Sequence, residues 1–189
     1  MARLRVLLVD GIAERAALVA VGLTEAGCDV VAVVSDARDL TRRVRDSGAE
    51  VIVCDLDDPG RDALESMRAL NRDEPRPVVL FANRGEPEQI EAALEAGVAA
   101  YVVEGLTPNR VRPVIEVAIR RFRAHQALRE ELETTRATLA ARKLIEAAKA
   151  RLMETRRLTE DEAYRRLRRM AMDRGIRMAE AAKVVLGNF

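Results

Sequence analysis

The chain has 189 residues, of which 49% are hydrophobic and 33% are charged, and its formal net charge is +1. This balance excludes intrinsic disorder, and the longest apolar runs are about six residues, far short of the roughly 20 that a membrane-spanning helix needs. The first apolar run ends at Asp10 and lacks the pattern of a signal peptide. We therefore expect a cytoplasmic protein that does not bind membranes.

Charge is distributed unevenly along the chain. Residues 142–189 contain 13 Lys and Arg against 7 Asp and Glu, a net charge of +6. Residues 1–141 contain 19 against 24, a net charge of −5. A basic tail behind an acidic front half predicts that the C-terminal end binds a polyanion.

Five short apolar runs divide the first hundred residues. Each is rich in valine, is apolar on both faces and is followed by a stretch of helical periodicity. Parallel strands that are covered by helices on both sides have this composition, and the helices supply the crossover connections. The pattern predicts an α/β fold with a doubly wound (βα)5 sheet. The predicted strands are Leu4–Val9, Val30–Val34, Val51–Cys54, Val78–Phe81 and Ala100–Val103.

The carboxyl ends of the strands are the expected location of any chemistry in such a sheet. Asp10 follows the first strand, the motif Asp55-Leu-Asp-Asp-Pro59 follows the third, and Ala96-Gly-Val-Ala-Ala-Tyr-Val-Val103 leads through the fifth. With these motifs, residues 1–120 resemble the flavodoxin-like receiver domain of two-component response regulators. The resemblance implies that Asp55 is the candidate phosphoacceptor and that Asp10 is one of the acidic residues that hold Mg²⁺.

Three positions depart from the receiver pattern. The second acidic residue is replaced by Gly11, the switch hydroxyl by Ala82, and the lysine that contacts the phosphoryl group by Glu104. Phosphoryl transfer to a carboxylate needs a hard cation and a positive group, whereas Glu104 adds negative charge. We therefore expect a degenerate receiver that needs no phosphate and requires no cofactor, with weak or altered phosphorylation of Asp55 as the alternative. A Mg²⁺ site would have to use an incomplete set of ligands, namely Asp10, Asp55 and Asp57.

The following region lacks helix breakers. No glycine or proline occurs in the 61 residues from Val114 to Arg174, which predicts long helix. Thr107 and Pro108 mark its expected start, and Pro113 predicts either a later start or a bend. Over residues 107–140 a heptad-like seam predicts a coiled coil between two chains, and a helix packed on its own domain is the alternative. The seam contains Val114, Ala118, Phe122, His125, Leu128, Leu132, Thr135 and Leu139.

The sequence predicts a small domain of three helices over residues 136–189. Thr159 and Glu162 form a capping box at the start of one helix, and Gly175 marks its end. The stretch contains the motifs Ile145-x-x-Ala148-Lys149-x-x-Leu-Met153, Thr159-Glu-Asp-Glu-Ala163-Tyr164, Leu167-Arg168, Ala171-Met172 and Ala182-x-x-Val185-Leu186. With these motifs it resembles the ANTAR domain, an RNA-binding antiterminator module. Arg157 stands where that family usually has glycine, so we expect it to adopt a turn with positive φ.

Helical geometry separates an apolar from a basic face in this domain. Tyr164, Leu167 and Ala171 share one side of an ideal helix, so we expect Tyr164 in the core, with stacking on an RNA base as the alternative. The basic residues are predicted to contact RNA, and an ordinary solvated face is the competing interpretation. The predicted RNA-binding residues are Arg142, Lys149, Arg156, Arg165, Arg166, Arg168 and Arg169.

These resemblances imply a binding protein and not an enzyme: a homodimeric response regulator whose tail binds stem-loop leader RNA and prevents transcription termination. A sensor kinase or a ligand-sensing protein would supply its input. The alternatives are a DNA-binding transcriptional regulator and an adaptor whose tail binds only protein. Lys183 is the one basic residue in the last predicted helix, Met178–Leu186, which disfavours reading of the DNA major groove. We find no sequence pattern for a nucleophile–base pair or a phosphate-cradling glycine loop.

Overall fold

Five parallel strands form one sheet in the computed structural model, which describes residues 3–56, 58–103 and 108–187. Their spatial order is β2-β1-β3-β4-β5, so the predicted doubly wound fold is confirmed. The strands are β1 (Leu4–Asp10), β2 (Cys28–Val34), β3 (Val51–Asp55), β4 (Val78–Ala82) and β5 (Ala100–Val103).

Helices cover both faces of the sheet because successive side chains of each strand point to opposite sides. In β1, Leu7 packs in one core and Leu8 in the other, and both are fully buried. One core includes residues of α2 (Leu40–Ser47), α3 (Arg61–Asp73) and α4 (Pro87–Glu95), and the other includes residues of α1 (Ala13–Glu25) and the start of α5 (Pro108–Arg156).

The long helix α5 begins at Pro108 and continues through Pro113. Thr107, its predicted cap, lies outside the described residues. Ala118 is buried in the sheet's own core, with Val114 packed against that core. This first part of the predicted seam therefore follows the alternative interpretation, a helix packed on its own domain. Further along, Leu128, Leu132 and Leu139 are exposed in the single chain.

The chain divides into two compact units, residues 1–125 and 126–189. In the C-terminal unit, the end of α5 packs with α6 (Glu160–Arg174) and α7 (Met178–Leu186) around a core that includes Ala148, Leu167 and Ala182. The predicted three helices are therefore present. No helix within the described ranges is long and apolar enough to cross a bilayer.

Local signals in this unit act as predicted. The Thr159 side chain accepts a hydrogen bond from the Glu162 backbone N–H, and the Glu162 carboxylate accepts from the Thr159 backbone N–H at 2.8 Å. Gly175 ends α6 with φ of 61°, and Arg157 has φ of 52° in the turn before the cap. Arg157 therefore adopts the left-handed conformation that its glycine-like position predicts.

Tyr164 corrects one expectation. Its side chain lies on the surface with a relative exposure of 43%, whereas Ala163 is fully buried. The core face of α6 consists of Ala163, Leu167 and Ala171, which recur every four residues. The small Ala163 side chain suits close packing of three short helices, and this choice turns Tyr164 outward.

Candidate functional site

The acidic end of the sheet is built from two adjacent strands. Asp10 ends β1 and Asp55 ends β3, and these two residues are register partners in the parallel ladder. Both are buried, with relative exposures of 2% and 4%. The topology therefore brings the candidate phosphoacceptor and the predicted metal ligand to one place, as the sequence predicts.

Arg15, from the first turn of α1, lies directly against these carboxylates. Its Nε lies 2.9 Å from Asp10 Oδ2 and 3.3 Å from Asp55 Oδ2. Its Nη2 donates to Asp10 Oδ1 at 3.0 Å and to the Asp55 carbonyl oxygen at 3.1 Å. The guanidinium is thus the counter-ion of both carboxylates.

The Asp10 carboxylate also fixes the start of α1. Its Oδ1 accepts a hydrogen bond from the Ile12 backbone N–H at 2.9 Å, within the short connection from β1 to α1. This bond fixes the Asp10 carboxylate beside the turn that precedes Arg15.

The residues present do not fit a receiver's Mg²⁺. A hard divalent cation needs several oxygen ligands, but Gly11 supplies no carboxylate and a guanidinium contacts the two that remain. In the part of the chain that the structure describes, no group of three His, Cys, Asp or Glu side chains could hold a metal ion. Asp57 and Glu104 lie outside that part. Ala82 is buried at the end of β4, where it offers no hydroxyl.

Lys149 forms ion pairs with two glutamates of the C-terminal unit. Its side chain is 10% exposed, and its Nζ donates to Glu160 Oε1 at 2.6 Å and to Glu146 Oε2 at 3.0 Å. The hydrogen bonds that the Lys149 ammonium donates to Glu160, and then to Glu146, raise the pKa of Lys149, and the bond to Glu160 lowers the pKa of Glu160. Lys149 thus joins α5 to the first turn of α6, and its predicted contact with RNA remains a prediction.

The basic face of α6 is exposed. Arg165, Arg166 and Arg169 line a shallow open groove along this helix together with Met170 and Arg174. Glu162 and Asp173 also line it, so the groove carries four positive and two negative side chains. Arg165 Nε donates to the Asp161 carbonyl oxygen at 3.3 Å. We name this surface, residues 162, 165, 166, 169, 170, 173 and 174, the α6 groove.

The other predicted RNA-binding arginines are exposed as well. Arg142 and Arg156 lie on α5, and Arg168 lies on α6 between Tyr164 and Met172, four residues from each. Tyr164 and Met172 are both exposed, so an aromatic, a guanidinium and a thioether form one row beside the α6 groove. Among the described residues, no carboxylate pairs with Arg142, Arg156, Arg166, Arg168 or Arg169.

Two functional candidates, Arg174 and Arg15, are not predicted from the sequence. Arg174 shares a row of α6 with Arg166 and Met170, so a spacing of four residues could have identified it. Arg15 has a weaker signal, since its partners come from two strands that are 45 residues apart in the sequence. The absence of the second acidic residue at Gly11 indicates that a cation other than Mg²⁺ pairs with Asp10.

Comparisons with known proteins agree with this two-part organisation. A family model described as response regulator receiver domain matches residues 6–116, and one described as ANTAR domain matches residues 133–186. The transcriptional regulatory protein PdtaR of Mycobacterium tuberculosis is 31% identical over 179 residues, 93% of this chain and 87% of that protein.

Solved structures show the same receiver fold. The receiver domain of the putative response regulator NarL from Mycobacterium tuberculosis has 22% identity and a TM-score of 0.56, and the match covers 62% of this chain and 98% of that one. The chemotaxis response regulator CheY4 of Vibrio cholerae has 19% identity and a TM-score of 0.53, with coverages of 62% and 99%. The chain therefore belongs to the two-component response regulators that carry a receiver domain followed by an ANTAR domain.

Proposed function

We propose that this response regulator binds stem-loop RNA through the α6 groove and acts as a transcription antiterminator. The observation that carries the proposal is the set of exposed arginines on α6, of which Arg166, Arg168 and Arg169 are without a carboxylate partner in the described residues. An arginine that is not paired within its own chain can donate two parallel hydrogen bonds to one phosphate. The match of this unit to the ANTAR family supports RNA as the polyanion.

Loops of RNA suit this surface better than duplexes do. The major groove of an RNA duplex is deep and narrow, whereas a loop presents unstacked bases that aromatic and guanidinium groups can stack on. The exposed Tyr164 and Arg168 offer such groups beside the phosphate-binding arginines. This arrangement supports binding of a loop at Tyr164 and of the adjoining stem backbone at the α6 groove.

The alternative of DNA binding has less support. In a helix-turn-helix arrangement α7 would enter the major groove, but the exposed side chains of α7 are only Glu180 and Lys183. One acid and one base on a nine-residue helix give little capacity to distinguish base pairs. The remaining residues of α7 are partly or fully buried alanine, methionine, valine and leucine.

The proposed regulator works as a homodimer that receives its input from another protein. Leu128, Leu132 and Leu139 are exposed on the part of α5 that packs in no core of the single chain, which supports pairing with a second copy. Because Asp55 faces a guanidinium instead of a metal site, contact with a sensor kinase or a ligand-sensing protein is the input we favour over ordinary phosphotransfer.

A mobility-shift competition tests the RNA proposal directly. The full chain is incubated with a pool of stem-loop RNAs that have randomised loops, and duplex DNA of matched length competes. We expect a shifted RNA complex that excess DNA does not displace. Displacement by DNA would favour the DNA-binding alternative, and the absence of any complex would favour the protein-binding adaptor.

A further inference from the structure

Two buried carboxylates at neighbouring strand ends require a cation. Asp10 and Asp55 are almost completely removed from solvent, and they occupy paired positions of β1 and β3. A buried carboxylate without a partner is strongly destabilising, and two of them in one place also repel each other. The fold therefore depends on whatever positive charge lies between them.

Arg15 supplies that charge from within the chain. Its guanidinium contacts both carboxylates and the Asp55 carbonyl oxygen, all within 3.3 Å. These groups belong to two strands, so the contacts bridge the end of β1 to the end of β3. A divalent cation would bridge carboxylates and carbonyl oxygens in the same way.

We propose that Arg15 is a tethered cation that takes the place of the divalent metal in this receiver domain. The guanidinium then offsets part of the negative charge of Asp10 and Asp55 without metal, and a divalent ion enters only if the guanidinium leaves. The replacement of an acidic residue by Gly11 is consistent with this arrangement, because it leaves two carboxylates that one guanidinium can contact together. The proposal concerns the N-terminal unit and does not depend on RNA binding.

The bridging geometry distinguishes Arg15 from surface arginines. Arg38 also pairs with an aspartate at 2.9 Å, Asp36, but the Arg38 side chain is 74% exposed and that of Arg15 is 27% exposed. Arg38 reaches one carboxylate on its own loop, and solvent screens that pair. Arg38→Gln is therefore the matched control, because it removes an arginine that does not contact Asp10 or Asp55.

Binding of Mn²⁺, measured by electron paramagnetic resonance, tests the proposal on the full chain. We expect wild type and Arg38→Gln to bind Mn²⁺ no more tightly than about 1 mM, and Arg15→Gln to bind at least about tenfold more tightly, because two carboxylates lose their cation. Tight Mn²⁺ binding by wild type would overturn the proposal, and so would an Arg15→Gln protein that binds no more tightly than wild type.

A second comparison serves if Arg15→Gln is too unstable for the metal titration. The double variant Arg15→Gln with Asp10→Asn removes the cation together with one of the charges that it balances. We expect this double variant to unfold at a higher temperature than Arg15→Gln alone, because an unpaired buried charge costs more than a missing pair. A double variant that is no more stable than the single variant would show that Arg15 does not neutralise Asp10.

Discussion

Lys149 and Arg166 are both basic residues of the C-terminal unit, but their surroundings give them different roles. The ammonium of Lys149 is held between Glu146 and Glu160, and the guanidinium of Arg166 is exposed in the α6 groove. A cation that is already paired has little free energy to gain from phosphate. We therefore expect Lys149 to stabilise the packing of α5 on α6 and Arg166 to lie on the proposed RNA-binding surface.

Replacing Lys149 with alanine should lower the unfolding temperature of the C-terminal unit, since Glu146 and Glu160 would then face each other without a cation. Arg142→Ala, on the same helix and exposed, is the control and should leave that temperature unchanged. Far-ultraviolet circular dichroism of the full chain follows both. Equal melting of the two variants would contradict the structural role of Lys149.

The same pair predicts a dependence on pH. The folded pKa of Glu160 is lowered and that of Lys149 is raised. The contribution of Glu160 is therefore complete above its unfolded pKa of about 4.3 and is lost as pH falls through the lower folded value. The contribution of Lys149 is complete below about 10.4 and is lost as pH rises through the higher folded value. In Glu160→Gln, the acid-side loss should be smaller than in wild type.

Tyr164 gives a prediction that separates binding from folding. Because the ring is exposed, Tyr164→Ala should change the free energy of unfolding by less than about 0.5 kcal/mol, whereas Leu167→Ala in the core should cost about 2–5 kcal/mol. If the ring stacks on a base, Tyr164→Ala should weaken RNA binding by about 1–3 kcal/mol, and Tyr164→Phe should retain it. Filter binding and chemical denaturation measure the two effects. Undiminished RNA affinity in Tyr164→Ala would exclude stacking.

Asp55 should resist ordinary phosphorylation. Its carboxylate faces Arg15, and the site lacks both the metal ligand at Gly11 and the hydroxyl at Ala82. After incubation with acetyl phosphate and Mg²⁺, we expect intact-mass spectrometry to show an unmodified chain. Near-complete modification that disappears in Asp55→Asn would contradict the degenerate receiver.

At the scale of elements, α5 contains two kinds of surface. Its first turns are buried against the sheet through Val111, Ile115 and Ala118, whereas residues 127–140 are exposed throughout. Apolar side chains that have no partner in their own chain favour association with a second copy. Leu128 and Leu132 are the largest such side chains in the middle of this stretch, at 65% and 49% exposure.

Replacing both Leu128 and Leu132 with glutamate should therefore convert a dimer into monomers. Each buried leucine contributes about 1.5–3 kcal/mol, and two charges at these seam positions would oppose pairing. Ala127→Glu with Thr134→Glu is the matched control, because those residues are exposed, seven apart and outside the seam. Sedimentation velocity distinguishes the outcomes. A double leucine variant that still sediments as the wild-type dimer would place the interface elsewhere.

The elements differ in how far their sequence determines them. Thr159, Glu162 and Gly175 form or end α6 through bonds within a few residues, so their roles could be predicted from spacing alone. The valine-rich strands were likewise predictable, since burial on both faces needs continuous apolar runs. The inward choice of Ala163 over Tyr164 was not predictable, because it depends on how closely three helices approach one another.

In the whole molecule, the receiver unit lies within the acidic part of the sequence, and the basic residues 142–189 lie within the C-terminal unit. The receiver-like unit concentrates carboxylates at the strand ends, and the C-terminal unit exposes arginines along α6. The position of Asp10 beside Asp55 follows from the order of parallel strands and could be predicted. The bridge by Arg15 could not, since it needs the three-dimensional path of α1 as well as both strands.

The salt dependence of RNA affinity tests whether the exposed arginines of α6 bind RNA phosphates. The measurement compares the full chain with an Arg165→Ala, Arg166→Ala, Arg169→Ala triple variant, using stem-loop RNA at several salt concentrations. Each lost phosphate contact should flatten the slope of log K against log salt by roughly 0.7 to 0.9. We predict a slope lower by about two units, weaker binding to every stem-loop sequence, and unchanged helical circular dichroism. Wild-type affinity and slope in a folded triple variant would contradict the account.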